Sequence, residues 1–153
     1  MENGEVERVL SAYGPQLLHL AYSYLHCQAD AEDVLQDTLV QYMRASPQFP
    51  DEARRKAWLY RVAANLCKNR LRAPARKTAE LPEDYPSDGI PEESIGLYQA
   101  VNALPVKYRE VVHLFYYEDA TTAQIAEMLG KRETTVRSLL FRARQLLREE
   151  LEA

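Results

Sequence analysis

Between Arg72 and Glu93 the chain runs RAPARKTAELPEDYPSDGIPEE, with four prolines, one glycine and no apolar repeat. Proline fixes its own φ and has no N–H to donate, so neither a helix interior nor a central strand can pass through such a stretch. The segment therefore reads as a linker, and it cuts the 153-residue chain into two short units. The boundaries that follow are residues 1–76, a linker at 77–93 and residues 94–153. Each unit must bury its own apolar residues, and the hydrophobic content of 46% suffices for that. Five glycines and few β-branched runs favour helices over sheet.

Apolar spacing supports an all-α reading on both sides of the linker. Val6, Val9, Leu10, Leu17, Leu18, Ala21 and Leu25 mark a first helical region over about residues 4–26, with Gly14-Pro15 expected to break or kink it. Asp30 suits the N-cap of a second helix ending near Arg44, and Glu32 and Asp33 suit its first turn. SPQFPDE forms a loop, and a third helix spans about Ala53 to Arg72. The second unit starts near Ser94, and Pro105 fits the first turn of a later helix.

The net charge of −4 conceals segregation. Residues 46–78 carry 9 basic and 2 acidic side chains, whereas residues 79–100 carry 6 acidic and none basic. Residues 1–45 hold 7 acidic and 2 basic, and residues 131–153 hold 6 basic and 4 acidic. A polyanion meets the local field, so two basic patches on an acidic chain are compatible with DNA binding. No window approaches the roughly 18 apolar residues of a membrane span. MENGEVERVL lacks a basic region followed by an apolar run, so secretion is not expected. Cys27 and Cys67 read as reduced thiols, and a cytoplasmic location is expected.

The stretch TTAQIAEMLGKRETTVRSLLFRAR has the layout of a helix-turn-helix. Ile125 and Leu129 line a short helix, and Gly130 can take the positive φ that ends it sharply. On the next helix Val136, Leu140, Ala143 and Leu147 share one face, while Arg137, Arg144 and Arg148 share another, with Ser138, Phe141 and Arg142 beside them. A large apolar ring among arginines is disfavoured unless something covers it, and a thymine methyl could. The alternative is a solvated basic helix.

A second basic face lies in RRKAWLYRVAANLCKNRLR. Arg61, Asn65, Lys68 and Arg72 recur at spacings of four, three and four, which predicts an outward row. The cations there would neutralise phosphates, and an asparagine amide could bond a base edge. Phe49, between Pro47 and Pro50, could stack on an unpaired base or fold back on the core. Trp58 fits either a core anchor or an opened-strand surface.

Together these residues resemble the extracytoplasmic-function sigma factors, the smallest class of the bacterial sigma-70 family. DAEDVLQDTLVQYMR is similar to the family's polymerase-docking helix, AWLYRVAANLCKNRLR to its −10 recognition helix, and the stretch from LPVKYREVV to RQLLREEL to its −35-binding domain. The resemblance implies a sigma region 2 bundle of three to four helices and a four-helix region 4 with a helix-turn-helix, joined by a flexible acidic linker. It implies that Asp33, Gln36 and Asp37 contact core RNA polymerase, and that the loop Gln48 to Glu52 captures a flipped base. Asn65 would contact the −10 element, with Phe49, Trp58, Arg61, Lys68 and Arg72 around it. Arg137, Ser138, Phe141 and Arg142 would touch the −35 element. Implied partners are core RNA polymerase and promoter DNA, with an anti-sigma factor as a further candidate. The free chain would be a monomer, not an enzyme, with no cofactor and no metal. Departures from the family pattern are Leu139 for arginine, Thr134 for glycine, an acid at Glu133, and Leu39 for phenylalanine.

Two other classes remain open to the residues alone. A stand-alone helix-turn-helix repressor would explain the C-terminal half, but leaves Phe49 and the first basic helix without a role. His19, His26 and Cys27 lie near one another in sequence, but lack the second ligand pair a metal site needs.

Overall fold

The computed structural model describes residues 3–73 and 95–152, and the expected linker at 77–93 lies outside the described residues. Among the described residues every regular element is helical. The N-terminal unit contains α1 (Asn3–Leu25), α2 (Gln28–Ala45) and α3 (Glu52–Arg72). The C-terminal unit contains α4 (Ile95–Ala103), α5 (Val106–Val112), α6 (Thr122–Leu129) and α7 (Glu133–Glu152), with a π-helical turn at His113–Tyr117 after α5.

α1 continues through Pro15, contrary to the expected break. Pro15 forgoes one bond to the Ser11 carbonyl, but both residues lie at the exposed surface, where water can reach that oxygen. The opposite face buries Val9, Leu17, Leu20, Ala21, Tyr24 and Leu25. Each buried valine or leucine among them contributes about 1.5–3 kcal/mol, enough to outweigh the lost bond. α1 stops where His26 takes φ 53, a left-handed conformation unusual outside glycine.

α2 begins earlier than expected. Cys27 is its N-cap, without a side-chain cap bond, and Asp30 sits in the first turn, where its charge still faces the helix N-terminus favourably. α3 starts as its sequence suggests, with the Asp51 carboxylate accepting from the Arg54 N–H at 2.8 Å. α6 opens with a capping box: Thr121 Oγ1 accepts from Gln124 N–H, and Gln124 Oε1 accepts from Thr121 N–H. It ends at Gly130 with φ 66, the conformation expected for the turn.

The apolar core does not divide at the linker. α1, α2 and α3 share one continuous cluster with Val111, Leu114, Ala120, Ile125, Met128, Val136 and Leu140 of the C-terminal unit. A smaller cluster of Val101, Leu104, Val112 and Ala143 belongs to that unit alone. The two units are thus packed together, with α3 lying against α6. The expectation that each unit buries its own apolar residues does not describe this arrangement.

Candidate nucleic-acid interface

α7 presents the more open of the two basic faces. Val136, Leu140 and Ala143 are buried against the core, which turns Arg137, Ser138, Phe141 and Arg142 to the outside. Phe141 is 63% exposed. Arg142 Nη1 lies 3.3 Å from Gln145 Oε1. Arg137 donates to the Glu133 carboxylate one turn earlier, and the same carboxylate accepts from Thr122 Oγ1 at 3.2 Å. Glu133 therefore ties the helix-turn-helix together and holds Arg137 along the helix. Arg144 turns the other way: its Nε donates to Tyr116 Oη at 2.7 Å, and its guanidinium lies over the Phe115 and Tyr116 rings. Leu139 packs against the core, where an arginine would have reached solvent.

The loop before α3 is pinned at several points. Asp51 caps the helix, while Glu52 accepts from Tyr13 Oη at 2.6 Å and from Arg55 Nε at 3.0 Å. The Tyr13 bond foremost, with Arg55, holds the Glu52 carboxyl below its ordinary range. Burial, then the Glu52 bond, pushes the Tyr13 phenol up to about 12. Phe49 is half-buried. Its ring meets Trp58 edge-on at 6.1 Å, Trp58 meets Tyr42 at 5.7 Å, and the Arg55 guanidinium lies 5.2 Å over Phe49. Phe49 and Trp58 both pack against the core and remain partly exposed.

The outward row expected on α3 is split. Arg61, Asn65 and Arg72 are exposed. Arg61 is directed at the C-terminal unit, with Nη2 donating to the Glu127 carbonyl at 2.8 Å. Lys68 is only 19% exposed at its side chain, and its Nζ lies 2.9 Å from Glu110 Oε2. Helical spacing put these four on one side, but α6 and α5 cover part of that side.

On α2, Asp33, Gln36 and Asp37 are exposed together. Arg70 of α3 reaches toward this group, 3.6 Å from Asp30, 3.8 Å from Asp33 and 3.9 Å from Asp37. Val40 and Met43 extend the same strip as exposed apolar residues. The sequence reading missed them, although their i+4 and i+7 spacing from Gln36 was a usable signal.

Among the described residues, no group of three His, Cys, Asp or Glu side chains could hold a metal ion. No helix there is long and apolar enough to cross a membrane.

Comparison with known proteins fits this geometry. Residues 9–77 match the model of sigma-70 region 2, and residues 95–147 match that of sigma-70 region 4. The chain is 36% identical over 136 residues to the ECF RNA polymerase sigma factor SigM of Mycobacterium tuberculosis, covering 86% of this chain and 69% of that protein. It is 33% identical to the RNA polymerase sigma-E factor of Streptomyces antibioticus, over 99% of this chain and 89% of that one. Its fold is similar to that of the sigma factor RpoE from Bartonella quintana, solved in complex with the anti-sigma factor NepR. The TM-score is 0.76 at 23% identity, covering 97% of this chain and 98% of that chain. The chain belongs to the sigma-70 family, as an ECF RNA polymerase sigma factor. It directs promoter-specific transcription initiation, and a stand-alone repressor would leave the region 2 match unexplained.

Proposed function

We propose that this sigma factor reads its promoter with two faces and docks on core RNA polymerase through a third. The observation that carries the reading is Phe141, a large ring left in water within the row Arg137, Ser138 and Arg142 on the second helix of a helix-turn-helix. Such a ring gains most where a thymine methyl can cover it while the cations beside it meet phosphates. This row reads the −35 element. Asn65, Arg61, Arg72 and, once released from Glu110, Lys68 engage the −10 region. Phe49, with Trp58 behind it, receives an unpaired base, offsetting part of an unstacking cost of a few kcal/mol.

Docking on the polymerase uses Asp33, Gln36 and Asp37, with Val40 and Met43 as an apolar margin. Acids spaced i,i+4 on one face can meet a basic partner helix together, and apolar neighbours exclude water from the contact. The chain supplies no chemical step, because bond formation belongs to the polymerase. Transcription sets its location as the cytoplasm. The similar RpoE is held by an anti-sigma factor, and a partner of that type is proposed here too.

Asp33→Ala combined with Gln36→Ala is expected to lower affinity for core polymerase and abolish run-off transcription while leaving the circular dichroism melt unchanged. Unchanged affinity for core would remove α2 from the docking assignment.

A further inference from the structure

A cleft of about 640 Å3 opens along the seam where α1 meets α4, α5 and the π-helical turn. Its floor is fixed. The buried Arg109 guanidinium donates to the carbonyls of Ser23 and Tyr24 near the end of α1, and of Asn102 and Leu104 at the end of α4. Nearby, Tyr24 Oη donates to the Glu110 carboxylate. The cleft is thus set by the packing of the helix ends, and small-molecule sites are about 300–1,000 Å3 in volume.

The walls are largely aromatic. Tyr22 of α1, Tyr98 of α4 and Tyr117 of the π-helical turn line the cleft, with Leu18 and Val101 as aliphatic neighbours. The His113 and Tyr117 rings stack, with centroids 5.5 Å apart and planes inclined by 25°. The wide turn that carries both closes through a 3.3 Å bond from the Glu118 N–H to the His113 carbonyl. Single π-turns are rare and are frequent at functional sites.

Asn102 and His113 also line the cleft, and their Nδ2 and Nε2 atoms are buried without a hydrogen-bond partner. His113 is 8% exposed, and its Nε2 lies 3.6 Å from Glu118 Oε1, too far for a hydrogen bond. Leaving such groups unsatisfied is costly, and native proteins keep few of them. Both nitrogens can donate to an acceptor brought from outside. Formal charge in the cleft is already matched. Arg109 is bound to carbonyls, and Glu118 accepts from Tyr60 Oη at 2.8 Å. A charged ligand would therefore be buried without a counter-ion, which costs far more than burying a neutral one. Ring walls favour a flat ligand, since offset and edge contacts between rings add to the burial of area.

We infer that this cleft binds a neutral, planar aromatic molecule whose ring carbonyl accepts from Asn102 Nδ2, with His113 Nε2 as a second donor. None of its lining residues belongs to the faces assigned to DNA or to core polymerase, so the site stands whichever helix reads which element. It gives the sigma factor a direct small-molecule ligand, and occupancy stabilises the folded chain by mass action.

The test is a titration of the isotope-labelled full chain with coumarin, a neutral fused-ring lactone. Naphthalene, which has the same fused-ring outline but no acceptor, is the comparison. Nuclear magnetic resonance shifts locate each probe, and thermal melts report stabilisation. Coumarin is expected to saturate one site, to shift the Asn102 side-chain amide and the Val101 methyls, and to raise the melting midpoint. Naphthalene should bind roughly tenfold more weakly, the difference that one hydrogen bond to a buried donor makes. Asn102→Leu keeps a similar volume and removes the unpaired amide. It should erase coumarin's advantage over naphthalene while leaving the unliganded chain at least as stable as the parent. Leu18→Trp, placed at a half-buried position on α1, should fill the cleft and block both probes. Equal affinity for the two probes in the parent, or an undiminished preference for coumarin in Asn102→Leu, would overturn the assignment. So would shifts confined to residues outside the cleft, or no saturation up to coumarin's solubility limit. Should Asn102→Leu fail to fold, the parent's own probe preference and shift map decide the matter.

Discussion

If the proposed −35 face is correct, Glu133 sets the strength of a DNA contact. It looks out of place at the head of a recognition helix, since its charge would repel phosphate. In the structure it accepts from Thr122 and Arg137, so it organises the turn and restrains the arginine together. Exposed pairs of this kind contribute about 0.2–1 kcal/mol. Glu133→Gln is therefore expected to tighten binding of the assembled initiation complex to a −35 fragment by a few-fold, about what that energy allows. Weaker binding, measured by competition between labelled fragments, would mean that the acid helps recognition by holding Arg137 in place. Phe141→Ala makes a sharper case. The ring has little to lose on the protein side, so thermal stability should stay within about 0.5 kcal/mol of the parent. Discrimination at one −35 position should fall, by no more than the ~1–3 kcal/mol that one mismatched base pair costs. A destabilised variant with unchanged discrimination would assign the ring to the fold instead.

At the level of elements, the glycine turn was legible, while several helix ends were not, and the N-cap expected at Asp30 falls on Cys27 instead. Asp51 before α3 and Gly130 after α6 carry local signals, because a carboxylate can accept N–H bonds and glycine alone takes φ 66 without strain. The buried face of α7, with Val136, Leu140 and Ala143, was equally readable from its spacing. By contrast α1 ends at His26 and α2 at Ser46, both left-handed without glycine, and Asp119 does the same before α6. Ser46 and Asp119 are exposed, and Ser46 bonds only to Tyr42 and Met43 within its own last turn. Packing carries α1 through Pro15. Thr121→Ala should cost about 1 kcal/mol through loss of the capping box, read as a lower urea midpoint. Gly130→Ala should cost a similar amount, roughly 1 kcal/mol, from its positive φ. Its Cβ would meet Arg61 Nη2 at 3.4 Å, an ordinary contact, so the cost is that of the positive φ.

For the molecule as a whole, periodicity reports that a face is buried but not what buries it. Tyr24 and Glu110 are 86 positions apart, and each is an ordinary polar residue in its own helix. Lys68 likewise belongs to a basic run that reads as solvated, and only the folded chain reveals its carboxylate partner. The seam also gives the protein a pH response. Burial works to raise the Glu118 carboxyl, but the His113 imidazole 3.6 Å away and the hydrogen bond from Tyr60 carry it below its ordinary range. A depressed carboxyl stabilises the fold above its unfolded pKa, about 4.3, and loses that contribution as pH falls through the folded value. Burial and the Glu110 carboxylate push the Tyr24 phenol upward, so its contribution is intact below about pH 10 and fades above it. Urea melts across pH should thus show both acid and alkaline losses, with the acid limb reduced in Glu118→Gln. An unchanged acid limb would remove Glu118 from the account.

The central claim is that two faces of one chain read two separate promoter elements, and one experiment addresses it most directly. Core polymerase would be combined in turn with the parent, Asn65→Ala and Arg137→Ala, and each holoenzyme would transcribe the same library randomised at both elements. Asn65→Ala should relax preference only at the downstream element, and Arg137→Ala only at the upstream one. Identical preferences for all three proteins would contradict the account.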